Sequence, residues 1–169
     1  FGGVGSGIVA DFAAGTVTDT QGFTDTFQNI ERIRGTDMAD TMTAGGSSAN
    51  VRFEGESGDD TMSGGAGDDR LEGDGDDDSL AGGTGNDMLV GGDGDDALLG
   101  GAGNDQLQGG VGDDFLDPGD NTSFDQIIPG AGQDTVSFGN LSAGYAQIDH
   151  GDLANASTVT IDTQTGSGA

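Results

Sequence analysis

Aspartate returns every nine residues at Asp60, Asp69, Asp78, Asp87, Asp96, Asp105 and Asp114. The residue before each also carries a side-chain oxygen: Asp59, Asp68, Asp77, Asn86, Asp95, Asn104 and Asp113. Glycine leads these pairs in fixed places, at Gly64, Gly82, Gly91, Gly100 and Gly109 and, three residues further on, at Gly67, Gly85, Gly94, Gly103 and Gly112. Carboxylate, amide and backbone carbonyl oxygens are all hard donors, and glycine at positive φ lets a loop turn its carbonyls toward a shared centre. Calcium takes about six to eight such oxygens in flexible geometry. Magnesium demands a tighter octahedron and keeps its water, and zinc prefers nitrogen and sulfur that these loops lack. The chemistry at this spacing is calcium binding, with these residues as the expected ligands.

The pairs sit in a nine-residue unit that runs seven times without interruption from Gly55 to Asp117. Position eight is apolar in every copy, at Met62, Leu71, Leu80, Leu89, Leu98, Leu107 and Leu116. One apolar residue per unit, between turn-forming loops, suits short strands that stack coil on coil better than a closed globular core. The clearest copies are Gly82-Gly83-Thr84-Gly85-Asn86-Asp87-Met88-Leu89-Val90 and Gly100-Gly101-Ala102-Gly103-Asn104-Asp105-Gln106-Leu107-Gln108. This register resembles the glycine- and aspartate-rich nonapeptide of the RTX, or hemolysin-type calcium-binding, family. The resemblance implies an all-β fold, a right-handed parallel β-roll in which two units make one coil and calcium lies between stacked loops on each side. Alternate units then share a side, so one row reads Asp59, Asp77, Asp95, Asp113 at position five and the other Asp68, Asn86, Asn104, and the two rows are expected to differ in charge and affinity. Seven copies supply about five interior ion sites, and degenerate flanking coils raise this to about eight.

At its ends the period decays. Gly35 to Thr43 is a degenerate unit with Asp40 at position six, after which Ala44 and Gly45 are read as a two-residue break and Val51 replaces the acid. Beyond the regular block, Pro118 and Gly119 are read as a second insertion, with the period resuming through Asp125 and Asp134 as further ligand candidates. The expected division is a capping segment over 1–34, a calcium-binding roll over 35–137 with its regular part at 55–117, and a cap or the start of a further module over 138–169. Ile8 to Phe12, Gly15 to Thr18 and Phe23 to Phe27 are strand candidates in the first segment. Tyr145 to Asp149 and Val159 to Asp162 are candidates in the last.

Composition narrows the function. The chain has 169 residues, 36 glycines, a net charge of −27 and only four basic residues, Arg32, Arg34, Arg52 and Arg70, which argues against a nucleic-acid partner. Such unbalanced charge opposes compaction unless cations complete the fold. No apolar run reaches membrane-spanning length. With no cysteine, no disulfide framework supports the chain. His150 has no second ligand or nucleophile beside it and reads as a surface residue, and no catalytic serine or zinc motif is present. Asn121-Thr122-Ser123, Asn140-Leu141-Ser142 and Asn155-Ala156-Ser157 fit a sequon common by chance, and an ice-binding array would need more than the lone Thr84 at position three. The chain opens at Phe1 without a signal pattern, as a piece of a longer protein would. The family resemblance implies a module of a secreted or cell-surface bacterial protein, of adhesin, matrix or surface-layer type, exported unfolded by type I secretion and folding on extracellular calcium. Its partners would be calcium and other copies or modules of the same protein. The alternative it implies is the folding and secretion domain of an RTX hydrolase or toxin.

Overall fold

The computed structural model describes residues 7–19, 21–28, 30–119, 124–138, 145–148 and 158–163. His150 and the three sequon triplets lie outside the described residues. Three short strands come first, β1 (Ile8–Asp11), β2 (Thr16–Asp19) and β3 (Thr24–Thr26), followed by β4 (Arg32–Arg34) and β5 (Thr41–Thr43). The regular block forms β6 (Arg52–Ser57), β7 (Thr61–Ala66), β8 (Arg70–Gly75), β9 (Ser79–Thr84), β10 (Met88–Asp93), β11 (Ala97–Ala102) and β12 (Gln106–Val111). Then come β13 (Phe115–Gly119), β14 (Phe124–Ala131), β15 (Gln133–Phe138), β16 (Tyr145–Ile148) and β17 (Thr158–Thr163).

From β4 onward the strands alternate between two sheets, the even-numbered in one and the odd-numbered in the other. Leu89 lies opposite Leu71 and Leu107, and Leu98 opposite Leu80 and Leu116, all in parallel ladders. Sheet neighbours are thus two units apart, one coil consumes two units, and the architecture is an all-β parallel β-roll. Side chains alternate along each strand. Position six, position eight and the first glycine of the next unit point inward, while positions seven and nine face out. Leu98 is fully buried whereas Leu99 is 47% exposed. Met62, Leu80, Leu98 and Leu116 from one sheet and Phe53, Leu71, Leu89 and Leu107 from the other fill a narrow core.

The first end is closed by apolar packing. β1 joins β5 in parallel and then pairs antiparallel with β2, which pairs with β3. Phe12 stacks against Phe27 and Phe53, with ring centroids 5.6 and 6.2 Å away, and Ile8, Ala10 and Val17 bury against the same column. The three strands expected in this segment are therefore present. At the other end the ladder runs on past Ser137, because β16 pairs with β14 and β17 with β15 in the same parallel sense.

Both readings of the inserted residues need correction. Ala44 and Gly45 are not the break: they occupy positions one and two, since Ala44 N–H donates to Ser63 O and a Cβ on Gly65 would meet Gly45 O at 2.6 Å. Asn50 already holds position five, its Oδ1 accepting from Asp68 N–H, so the extra residues fall in the turn between Gly45 and Asn50. Likewise Gly119 pairs with Gly101, which puts Pro118 at position one, and Phe124 N–H bonds Asn104 Oδ1 from position five. The surplus there lies between Gly119 and Phe124. A turn can lengthen without disturbing the ladder, whereas an extra residue in a strand would flip every later side chain to the opposite face.

Removing one rung of the core should be costly. Leu89→Ala is expected to destabilise the folded roll by about 2 to 5 kcal/mol, and Leu99→Ala, from the outer face, by about 0.5 kcal/mol or less. Denaturant midpoints of the two variants at saturating calcium check this.

Candidate metal centres

Among the described residues, the position-six carboxylates are the most buried charges. Asp60, Asp69, Asp78, Asp87, Asp96, Asp105, Asp114, Asp125 and Asp134 are each between 1 and 3% exposed. In every case Oδ1 is held by the backbone one coil back. Asp60 N–H donates to Asp78 at 2.8 Å, Asp69 to Asp87 at 2.8 Å, and Asp78 to Asp96, Asp87 to Asp105 and Asp96 to Asp114 at 2.9 Å. Asp105 and Asp114 donate in turn to Asp125 and Asp134 at 3.0 and 3.1 Å. The second oxygen is treated differently: Oδ2 of Asp60, Asp69, Asp78, Asp87, Asp96 and Asp114 is buried with no hydrogen-bond partner.

The glycines make room for that oxygen. A Cβ on Gly82 would stand 2.4 Å from Asp87 Oδ2 and 2.7 Å from Gly100 O, and Gly64, Gly91, Gly100 and Gly109 lie over their own carboxylates in the same way. At position four, Gly67, Gly85, Gly94, Gly103 and Gly112 hold φ between +125° and +144°. A Cβ on Gly85 would meet Gly67 O at 1.9 Å, so successive loops stack with carbonyls close to the next backbone. Position five forms an exposed rim whose hydrogen bonds run the other way along the axis. Asp68 Oδ1 accepts from Asn86 N–H, Asp77 from Asp95 and Asp95 from Asp113, each at 2.8 Å, with Asn86 accepting from Asn104 at 3.0 Å and Asp59 from Asp77 at 3.3 Å.

Burial, only partly offset by the N–H bond to Oδ1, pushes the carboxyls of Asp60, Asp78 and Asp114 up to about 7. It pushes Asp87 and Asp96 up to about 6 and raises Asp69 in the same direction. Neighbouring carboxylates add to the rise, Asp40 and Asp59 acting on Asp60 and Asp60 and Asp96 on Asp78.

Among the described residues, no cationic side chain pairs with Asp60, Asp69, Asp78, Asp87, Asp96 or Asp114. The arginines are engaged on the outer face of the even sheet, where Arg32 pairs with Glu54, Arg34 with Glu56, Arg70 with Glu72, and Arg52 with Glu54 at 2.7 Å and Glu72 at 3.3 Å. Among the described residues, no three histidine, cysteine or acidic side chains converge in one cluster. A cation between two loops would therefore take most of its oxygens from backbone carbonyls and its charge balance from the buried Oδ2. Many neutral oxygens around one or two carboxylates suit calcium rather than zinc or magnesium. The residues present fit that ion.

Residues 54–89 and 90–124 match the family model described as RTX calcium-binding nonapeptide repeat (4 copies). Through this stretch the chain carries RTX calcium-binding nonapeptide repeats, and their β-roll is a calcium-binding structural module rather than a catalytic fold. No curated protein matches the chain in a sequence comparison.

The structure gathers the expected residues into two edges. Asp59, Asp60, Asp77, Asp78, Asp95, Asp96, Asp113 and Asp114 share one, joined by Asp134. Asp68, Asp69, Asn86, Asp87, Asn104 and Asp105 share the other, joined by Asp125. Sequence reasoning missed the inward placement of the first glycine, the opposed Oδ1 ladders and the arginine–glutamate lattice. The lattice was legible in principle, because Arg52 and Arg70 are one coil apart, as are Glu54 and Glu72, and pair in register.

The raised carboxyls fix the sign of the pH response. Their folded values stand above the ordinary aspartate value of 3.8, so the metal-free roll gains stability from them in acid and loses it as pH rises through about 6 to 7. In chelator, strand content measured by circular dichroism should rise as pH falls from about 7.5 to 5. The calcium needed for half-saturation should rise over the same interval, because the ion must displace those protons.

Proposed function

We propose that this chain is a calcium-dependent structural module of a secreted or cell-surface bacterial protein, one that stays unfolded until calcium outside the cell completes it. The observation that carries the reading is the column of buried, unpartnered Oδ2 atoms on Asp60, Asp69, Asp78, Asp87, Asp96 and Asp114. Folding without a cation would leave each of them desolvated and unpaired, which is among the costliest arrangements a protein interior can hold.

The position-six aspartates are the charged ligands in this reading, and the carbonyls of the glycine loops supply the remaining oxygens. Interior loops provide about five sites, with up to about eight if the coils around Asp40, Asp125 and Asp134 take part. One buried leucine per nine residues is too little apolar burial to offset the ordering of nine residues of backbone. Ion binding is therefore folding free energy. Low calcium inside a cell and high calcium outside then separate an export-competent chain from a rigid one by mass action. An extended roll with no catalytic constellation among its described residues suits a spacer or scaffold, of the kind found in adhesins, matrices or surface layers.

The deciding experiment is far-ultraviolet circular dichroism in chelator at neutral pH, followed by titration to millimolar calcium. The expected result is a largely disordered spectrum that converts to strand as calcium rises, with magnesium ineffective at the same concentration. A strand spectrum that persists unchanged in chelator would sink the reading.

A further inference from the structure

The two edges of the roll hold their inner carboxylates in the same geometry. Asp78 N–H to Asp96 Oδ1 and Asp87 N–H to Asp105 Oδ1 are both 2.9 Å, and all four aspartates are no more than 3% exposed. The buried Oδ2 of Asp78 and Asp96 on one edge, and of Asp69 and Asp87 on the other, have no hydrogen-bond partner. What differs is the rim. Between Asp78 and Asp96 the two loops add Asp74, Asp76, Asp77, Asp93 and Asp95, whereas between Asp87 and Asp105 they add only Asn86 and Asn104. The first interval stays strongly anionic after taking up one divalent ion. The second is close to neutral once one ion sits between its two buried carboxylates.

Backbone conformation sharpens the contrast. The non-glycine residues at positive φ among those described are Glu56, Asp74 and Asp76, at +86°, +76° and +71°. All three are acids on the same edge, at loop positions two and four where the other coils place glycine. Carboxylates stand there in conformations that ordinary side chains seldom adopt; Asp74 and Asp76 add negative charge to the rim already formed by Asp59 and Asp77, while Glu56 is paired with Arg34.

We propose that the roll carries two classes of calcium site. A tight, salt-sensitive row runs along the edge of loops 55–60, 73–78, 91–96 and 109–114, and a weaker, nearly salt-insensitive row along the edge of loops 64–69, 82–87 and 100–105. The proposal rests on the calcium reading above and deepens it. Ligand charge count tunes calcium affinity at constant geometry. Attraction from exposed rim carboxylates is what salt screens, while the buried pairs are screened far less. Calcium therefore enters along the acidic edge first, and the amide edge fills as concentration rises.

The test follows backbone amide resonances during calcium titration of the metal-free chain, with Gly94 and Gly112 reporting the acidic edge and Gly85 and Gly103 the amide edge. The acidic-edge signals are expected to reach their bound positions at roughly tenfold lower free calcium. Raising salt from about 0.02 to 0.5 M should weaken that edge roughly tenfold and the other by less than about twofold. In the double variant Asp77→Asn with Asp95→Asn the acidic edge should fall toward the amide edge. In Asn86→Asp with Asn104→Asp the amide edge should rise toward the acidic one. Asparagine already performs the rim hydrogen bond at Asn86, so these exchanges keep the ladder, and a strand spectrum at saturating calcium verifies folding. Both edges responding at the same calcium concentration with the same salt dependence would overturn the two-class proposal and leave the calcium reading intact. A chain that shows no response to calcium by either measurement overturns both.

Discussion

The roll depends on a carboxylate that the protein satisfies only halfway. At Asp60, Asp69, Asp78, Asp87, Asp96 and Asp114 the carboxylate is drawn into the interior by a backbone N–H bond to one oxygen, and its other oxygen is left without a hydrogen-bond partner. Neighbouring carboxylates on one edge follow the strand spacing of about 4.8 Å, at which two full charges repel by about 3 kcal/mol at an effective dielectric of about 20. A buried leucine contributes about 1.5 to 3 kcal/mol, so the apolar column and the charged columns are matched in size and opposed in sign. Nothing within the chain decides the contest, because the four arginines are engaged elsewhere. In the proposed reading divalent ions settle that balance, and with it the choice between coil and roll.

The rest of the unit follows from making that arrangement possible. In the regular copies the first residue of the unit has no side chain, and a Cβ there would crowd the carboxylate, as Gly82 shows over Asp87. The loop closes within its length only if the fourth residue turns through positive φ, and stacks at strand spacing only if nothing projects from it toward the carbonyl of the preceding coil, as at Gly85 over Gly67. Position eight must then be a single compact apolar residue, since the inward face of each unit has one place left between the aspartate and the next glycine. Glycine, aspartate and leucine at these spacings are thus one solution to one packing problem. Where the loop departs from it, at Asp74 and Asp76, the backbone keeps the same turn and carries the acids at +76° and +71°.

The period of nine could be read from the sequence because identical chemistry returns at fixed spacing, whereas two units per coil was what the resemblance to the RTX nonapeptide implied. Which residues absorb the irregularities could not be read from it. Ala44-Gly45 and Pro118-Gly119 look like insertions in a one-dimensional alignment, but in three dimensions the strand register holds and the turns lengthen, so these dipeptides take the places of the paired glycines. The direction of the two Oδ1 ladders was also hidden. Positions five and six are adjacent acids in sequence, yet one reaches forward along the axis from the exposed rim and the other backward from the interior. That difference comes from strand pleating and is invisible to composition. The arginines suggested only what the chain does not bind, until register placed Arg52 beside Arg70 and Glu54 beside Glu72.

The two kinds of stabilisation are distributed unevenly along the axis. At the first end Val51 takes the place of the buried acid, Phe53 joins Phe12 and Phe27 in an aromatic cluster, and the arginine–glutamate lattice covers the outer face of the even sheet. Apolar contacts and ion pairs within the chain are concentrated there. Moving along the roll, the arginines end at Arg70, the core narrows to one leucine per unit, and the unpartnered carboxylates continue through Asp78, Asp87 and Asp96. On the proposed reading, dependence on bound cations therefore grows away from the first end. A solenoid propagates order from coil to neighbouring coil, so an end held by its own side chains gives the ion-dependent coils a surface on which to stack, and each added coil completes another pair of stacked loops for the next ion.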